Sequence, residues 1–457
     1  MSTSLNCFKT YDIRGRLGSE IDRDIVYRIA RATAENCEAS SVVIGFDARS
    51  TSLDLAKAAA SGASDAGAKI LDIGLAGTEE MYWAVTNFGA CVGIEITASH
   101  NPIDYNGMKI VKSKSKPFEN DEFLAIKALA EENKFKEIFE RGLIKKIQFQ
   151  ARQKYIKKIV SFVDTKKLQP LKIVINSGNG AAGPTIDALE TVLKNKGVKT
   201  NFIKVNHNPD SNFPNGIPNP LIEKNRLATT EAIIRESADF GIAFDGDFDR
   251  CFFFDSSGRF IPGEYIIGLL TEVFLRREAG ATIIHDPRVI WNVVETIEGL
   301  GGKSRVSKTG HAFVKKEMRE ANAVYGGEIS AHHYFRDFAY CDSGIIPFLI
   351  VWELLSNNTK SLENLFLRRR KRFLSSGEIN FIVSDVSKCF RVVKNLFNDE
   401  AVDFDEVDGL SMSFEGWRFN IRKSNTEPLV RLNVETKGDE TILVNKMEQL
   451  KKIFSSI

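Results

Sequence analysis

The chain has 457 residues, 43% apolar and 27% charged, which describes roughly three or four globular domains and excludes a disordered chain. Lys and Arg number 62 against 60 Asp and Glu, a net charge of +2, so the overall balance points to neither nucleic acid nor membrane as a partner. Six cysteines, at 7, 37, 91, 251, 341 and 389, form no CxxC pair, and no signal-peptide core or 18-residue apolar run is visible, so a cytoplasmic protein with reduced thiols is expected.

In chain order, residues 9–15 form a short segment ending at Gly15, and an amphipathic helix is predicted over 22–36. A buried strand over 42–46 runs into the turn and cap at 47–51, which start an Ala-rich helix. Strands follow at 69–73, 91–96 and 106–111, with a helix over 121–132, so this region reads as βαβ with a largely parallel sheet. A polar helix over 152–164 precedes a strand over 171–176, which opens into a glycine-rich loop at 177–183. The strand at 281–286 repeats the strand–loop–helix start seen near 42 and 171, a weak internal repeat of over a hundred residues. The run Arg368-Arg369-Arg370-Lys371-Arg372 reads as a solvated linker or helix end. The last stretch changes pattern: strands at 410–414, 417–423 and 428–436 form an antiparallel meander, closed by a helix with Leu443, Met447, Leu450 and Phe454 on one face. The fold class is α/β, with three similar α/β domains with mixed sheets and a smaller C-terminal α+β domain. The expected domains are 1–148, 149–254, 255–368 and 369–457.

Four stretches carry chemistry. Thr97-Ala98-Ser99-His100-Asn101-Pro102 ends a strand in a hydroxyl, an imidazole and a turn-forming Asn-Pro pair. A serine delivered there is well placed as nucleophile or phosphate carrier, although the same residues also suit a plain Asx turn. Asp245-Gly246-Asp247-Phe248-Asp249-Arg250 lies between apolar strands at 240–244 and 251–254. Three carboxylates at i, i+2 and i+4 are hard oxygen ligands for Mg²⁺ or Ca²⁺, and a curved loop around a cation relieves their repulsion. An EF-hand is excluded, because its glycine and glutamate positions hold Arg250 and Ser256. Gly327-Glu328-Ile329-Ser330-Ala331-His332-His333 offers a Glu and a Ser two apart that can pair with neighbouring sugar hydroxyls. Lys308-Thr309-Gly310-His311 is ambiguous alone. Arg422-Lys423-Ser424-Asn425-Thr426-Glu427-Pro428, with Arg431 beyond, supplies a guanidinium, hydroxyls, an amide and loop N–H groups fit to cradle a dianion.

Together with Tyr11-Asp12-Ile13-Arg14-Gly15, these motifs occur in the order and spacing of the α-D-phosphohexomutases, which the sequence resembles over essentially its whole length. The stretch 326–337 is most similar to bacterial phosphomannomutases that feed GDP-mannose into surface polysaccharide. The resemblance implies four domains around a central cleft and an enzyme that interconverts mannose 6-phosphate and mannose 1-phosphate. Ser99 would be the phosphoserine, exchanging its phosphoryl group with a hexose 1,6-bisphosphate intermediate. Asp245, Asp247 and Asp249, with a phosphoserine oxygen of Ser99, would hold Mg²⁺. Arg14, Lys109 and Arg250 would surround the phosphoserine, and either Lys109 or His100 would move the proton. Glu328 and Ser330 would bind the sugar 3- and 4-hydroxyls. Tyr11, Arg288, His311 and His332 would add sugar or phosphate contacts. Arg422, Ser424, Asn425, Thr426 and Arg431 would grip the non-reacting phosphate, closing the cleft by domain rotation. The implied partners are small sugar phosphates, with no nucleic acid, membrane or obligate protein partner.

Two departures stand out. Gly77-Thr78-Glu79-Glu80 stands where many relatives carry Pro-Thr-Pro, and Ala331 where many carry Gly. Neither is expected to touch the transfer chemistry, but the second bears on sugar preference. Mannose and glucose differ only at C2, so dual phosphomannomutase/phosphoglucomutase activity is the alternative. A non-catalytic sugar-phosphate-binding protein would be expected to lose Ser99 or an aspartate, and all are present. A simple phosphatase would need water admitted to the phosphoserine.

Overall fold

The computed structural model describes residues 4–383, 385–423 and 429–455. The chain divides into two compact units, residues 1–260 with 332–359 and residues 261–331 with 360–457.

The first unit opens with β1 (Ile13–Arg16), α1 (Arg23–Asn36), β2 (Ser41–Phe46), α2 (Ser52–Asp65), β3 (Lys69–Leu75), α3 (Thr78–Phe88), β4 (Val92–Ile96), β5 (Tyr105–Lys112), α4 (Asn120–Glu132) and β6 (Ile144–Lys146). Helix α1 starts where its sequence says it should: the Asp22 carboxylate accepts from the Ile25 N–H, and the face carrying Val26, Ile29 and Ala30 is buried. The strands form one sheet in the order β1-β5-β4-β2-β3-β6. Strands β2, β3, β4 and β6 run parallel, as expected, but β5 is antiparallel to β4 and β1 antiparallel to β5. The reason is chain length. A parallel return needs a crossover of a dozen or more residues, and residues 97–104 are too few, so the chain must fold straight back. That reversal is the Ser99 loop.

After α5 (Gln148–Val160), which begins and ends four residues before the predicted helix, come β7 (Lys172–Asn176), α6 (Ala182–Asn195), β8 (Asn201–Val205), α7 (Leu227–Glu236), β9 (Phe240–Phe244) and β10 (Cys251–Phe254). β7 lies between β8 and β9, parallel to both, and β10 returns antiparallel to β9 with Cys251 opposite Phe244. The hairpin residues 245–250 are the aspartate loop.

The chain then enters the second unit through β11 (Phe260–Ile261), α8 (Gly263–Arg277), β12 (Thr282–His285), α9 (Trp291–Gly299), β13 (Lys303–Val306), α10 (His311–Glu320) and β14 (Tyr325–Gly327). β12 is flanked by β13 and β14, parallel to both. Thus β2, β7 and β12 each sit between two parallel partners and each feed a polar loop from their C-terminal end, which is the repeat anticipated at 42, 171 and 281.

The chain returns to the first unit for the antiparallel pair β15 (His333–Phe335) and β16 (Cys341–Asp342) and the apolar helix α11 (Ile345–Ser356). It completes the second unit with α12 (Leu362–Arg372), β17 (Leu374–Ile382), α13 (Val386–Phe397), β18 (Asp403–Asp405), β19 (Leu410–Ser413), β20 (Trp417–Lys423), β21 (Leu429–Thr436) and α14 (Glu440–Ser455). The expected meander is present as an antiparallel sheet in the order β17-β21-β20-β19-β18. Phe419, Ile421, Leu432, Val434 and Phe397 build its core, with Leu450 and Phe454 of α14 packed on it. The basic run is the last turn of α12, where cations suit the helix C-terminus. No helix among the described residues is long and apolar enough to cross a membrane.

Candidate functional site

In the first unit, the β4–β5 reversal holds Ser99 with φ of 49°, a left-handed conformation costly for a non-glycine residue. Two anchors impose it. The Ser99 N–H donates to Thr97 Oγ1 at 2.8 Å, and Thr97 donates to Asp47 at 2.7 Å. The Arg49 guanidinium donates to the carbonyls of Ser99 (3.0 Å), Asn101 (2.6 Å), Pro102 (2.8 Å) and Tyr105 (3.0 Å). In the sequence Asp47 and Arg49 read as a turn and helix cap, and the pattern carries no signal for this second task.

The aspartate loop meets this turn. Ser99 Oγ donates to Asp245 Oδ2 at 2.8 Å, and Arg250 donates to Ser99 Oγ at 3.3 Å and to Asp245 at 2.9 Å. Gly246 is required here, because a Cβ would lie 2.6 Å from the Ser99 carbonyl oxygen. Asp245, Asp247 and Asp249 are all buried, with ligand oxygens within 4.8 Å of one another. Burial pushes Asp245 up, offset only partly by Arg250. Asp247 Oδ1 is buried with no hydrogen-bond partner among the described residues. Three converging carboxylates with such an oxygen fit a hard divalent cation.

Lys109 comes from β5, opposite Glu95 in the sheet register, and donates to Asp247 at 2.7 Å and closely to Asp249. Burial opposes its charge, but these two carboxylates outweigh it and raise its pKa. Arg14 on β1 pairs with Asp12 at 3.1 Å and donates to Asn101 at 2.6 Å. His100 Nδ1 lies 3.1 Å from Ser99 Oγ and in close contact with Arg250. Burial, then Arg250 and Arg14, push His100 well below its ordinary range, so the ring is neutral and Nδ1 accepts. Tyr11 is half-buried just before β1. His332 forms a bridge with Arg250 and its Nε2 lies 3.7 Å from Asp249, beside the aspartate loop.

One expectation needs correction. The segment at 77–80 does touch this chemistry: Thr78 donates its hydroxyl to Asp247 Oδ2 at 2.6 Å and its N–H to the Asp247 carbonyl at 3.1 Å. Glu79 reaches the start of α11, accepting from the N–H groups of Gly344 (3.0 Å) and Ile345 (3.3 Å).

The second unit gathers another group. Glu328 accepts from the Gly310 N–H at 2.8 Å and lies 4.0 Å from Arg288. Arg288 donates to Asp286 at 2.7 Å, and Asp286 also accepts from the Ile329 N–H at 2.9 Å. Glu435 accepts from the N–H groups of Ile290 (2.9 Å) and Trp291 (3.0 Å) and pairs with buried Arg418, which ties the Arg288 loop to β20 and β21. Arg422 and Arg431 reach the same place from β20 and β21, where they face each other in register. The Nε atoms of Arg288, Arg422 and Arg431 are buried with no acceptor among the described residues. His311 begins α10, with Lys315 3.5 Å away, and Ser330 lies half-buried before Ala331. Ala331 has φ of 71°, which explains in physical terms why a glycine suits that position. Ser424, Asn425 and Thr426 lie outside the described residues.

A buried hydroxyl tied to a carboxylate and a guanidinium, beside clustered acids able to hold a cation, is equipment for phosphoryl transfer. Family models agree over nearly the whole chain. Phosphoglucomutase/phosphomannomutase alpha/beta/alpha domains I, II and III match residues 5–137, 153–258 and 262–373, and the C-terminal domain matches 378–449. The chain belongs to the phosphoglucomutase/phosphomannomutase family. It is 51% identical to the phosphomannomutase of Escherichia coli (strain K12) over 440 residues, 96% of each chain. A crystal structure of a phosphoglucomutase/phosphomannomutase family protein from Burkholderia thailandensis superimposes with a TM-score of 0.88 at 28% identity, covering 100% of this chain and 98% of that one. The Aspergillus fumigatus N-acetylphosphoglucosamine mutase, solved with GlcNAc-6P and magnesium, shares the fold at 12% identity and a TM-score of 0.61, covering 98% of this chain and 95% of its own.

Proposed function

We propose that the protein is a phosphomannomutase that interconverts mannose 6-phosphate and mannose 1-phosphate through phosphoserine 99 and a hexose 1,6-bisphosphate. The observation that carries this reading is Ser99 Oγ held between Asp245 (2.8 Å) and Arg250 (3.3 Å) on a turn that Arg49 fixes. Its chemistry is an exchange at phosphorus. The Oγ–P bond breaks as a sugar hydroxyl forms its own bond to phosphorus, and the hydroxyl proton leaves. The bisphosphate then turns round and its other phosphoryl group returns to Ser99.

Asp245, Asp247 and Asp249, with an oxygen of phosphorylated Ser99, would hold Mg²⁺, which when bound neutralises charge on the transferring group. Arg250 and Arg14 stabilise the phosphoserine's charge of about −1.5 to −2. Either Lys109 or His100, whose Nδ1 lies 3.1 Å from Ser99 Oγ, moves the proton of the sugar hydroxyl. Lys109, kept protonated by Asp247 and Asp249, also stabilises charge on the transferring group. Glu328 and Ser330 bind the sugar 3- and 4-hydroxyls, which are usable in either substrate orientation. Arg288, Arg422 and Arg431, whose Nε donors lack acceptors among the described residues, grip the non-reacting phosphate with Ser424, Asn425 and Thr426. Tyr11, His311 and His332 complete the contacts. The product mannose 1-phosphate would serve GDP-mannose synthesis in the cytoplasm.

Side-by-side turnover of mannose 1-phosphate and glucose 1-phosphate, with a catalytic amount of hexose 1,6-bisphosphate, tests the reading. Mannose 1-phosphate is expected to be converted to its 6-phosphate with the higher kcat/KM. Release of inorganic phosphate in place of isomerised sugar contradicts a mutase, and equal kcat/KM values contradict the preference for mannose.

A further inference from the structure

The three cradle arginines already surround an anion supplied by the chain itself. Glu378 Oε2 lies 2.8 Å from Arg422 and 3.6 Å from Arg288, and its Oε1 lies 3.2 Å from Arg431. Both carboxylate oxygens are thus used as two oxygens of a phosphate would be. Glu378 is put there by an irregularity in the sheet. The register of β17 against β21 shifts between Ser375 and Glu378, and Gly377 has φ of 67°, the left-handed residue of a bulge. Bulges re-aim a side chain that a regular strand would direct elsewhere. The side chain keeps 27% of its surface exposed, against 4% for Arg288 and 11% for Arg422, so Glu378 has room to swing out toward the side where Arg431 is also exposed.

We infer that Glu378 is a resident counter-anion of this cradle, displaced by the incoming phosphate, and that it sets both the apparent affinity and the preference for dianions. The inference rests on the cradle being the phosphate site proposed above. Without a substrate, three guanidiniums converging in a mostly buried place would repel one another, and the Glu378 carboxylate compensates them. A singly charged ligand replaces one negative charge with another and gains little. A phosphate dianion brings a second charge and further acceptor oxygens, which the buried Nε donors of Arg288, Arg422 and Arg431 can use. The cost is a weaker apparent affinity, with the apparent Kd raised by the reciprocal of the fraction of molecules in which Glu378 has left the cradle.

Titration calorimetry of the full-length protein with mannose 1-phosphate and with acetate, at constant ionic strength, tests the inference in wild type, Glu378→Gln, Glu378→Ala and Arg422→Ala. Glu378→Gln and Glu378→Ala are expected to bind mannose 1-phosphate about tenfold more tightly, the change produced if Glu378 occupies the cradle about nine-tenths of the time. They are also expected to gain measurable acetate binding, which wild type lacks. Arg422→Ala is expected to weaken mannose 1-phosphate binding. If both Glu378 variants bind mannose 1-phosphate no more tightly than wild type while Arg422→Ala binds more weakly, Glu378 is a scaffold for the arginines and the inference falls, with the cradle reading intact. If Arg422→Ala binds as wild type does, the cradle reading itself falls, and the inference with it.

Discussion

Arg49 donates to four main-chain carbonyls of the Ser99 loop, so one side chain fixes the strained turn on which the proposed chemistry depends. It is 4% exposed and lies 3.6 Å from Asp47, so removing it leaves carbonyls without a donor and a buried carboxylate without its cation. Arg49→Ala is expected to lose about 2–4 kcal/mol of stability. It should also lower kcat more than KM, because the guanidinium positions Ser99 without touching the sugar. Urea denaturation and steady-state kinetics check both, and an unchanged kcat contradicts the positioning role. The residue scale is also where sequence was least informative. Asp245, Asp247 and Asp249 were legible because three carboxylates crowded between apolar strands repel one another unless a cation joins them. Arg49 and Glu378 were not, because a buried arginine on a loop and a glutamate in a strand look like ordinary polar residues until the fold brings their partners to them.

At the scale of elements, β4 and β5 carry the site between them: the turn holds Ser99, β5 presents Lys109, and β4 buries Glu95 beside Lys109 in the register. Both Glu95 oxygens are buried with no hydrogen-bond partner among the described residues. Burial, then the neighbouring Asp47 and Asp247, raises its pKa well above the ordinary 4.5. A carboxyl whose folded pKa is raised contributes stability that is fully present below the unfolded value and is lost as pH rises through the folded value. The Glu95→Gln protein is therefore expected to gain about 1–2 kcal/mol over wild type at pH 9 and little at pH 5. Thermal melts at the two pH values check this, and a protein equally destabilised at both contradicts it. Strand positions were largely legible from apolar runs, and so were the meander and the repeat. The direction of β5 was not, since an apolar run looks alike in either direction. Only the shortness of the 97–104 connection settles it.

Of the two compact units, the first holds Ser99, the three aspartates and Lys109, and the second holds Arg288, Arg422, Arg431 and Glu328. The family was legible because motifs spread over the whole chain occur in one order, and four family models match along its length. The sugar was less legible, because a single epimeric hydroxyl leaves little trace in residue types. The central claim is that Ser99 carries the phosphoryl group, and mass spectrometry of the intact protein and its Ser99 peptide tests it most directly. After incubation with hexose 1,6-bisphosphate and Mg²⁺, the Ser99 peptide is expected to gain one phosphoryl group, which disappears when excess mannose 1-phosphate is added, while Ser99→Ala gains none and loses turnover. Stoichiometric labelling at another residue, or normal mannose-phosphate turnover by Ser99→Ala, would contradict it.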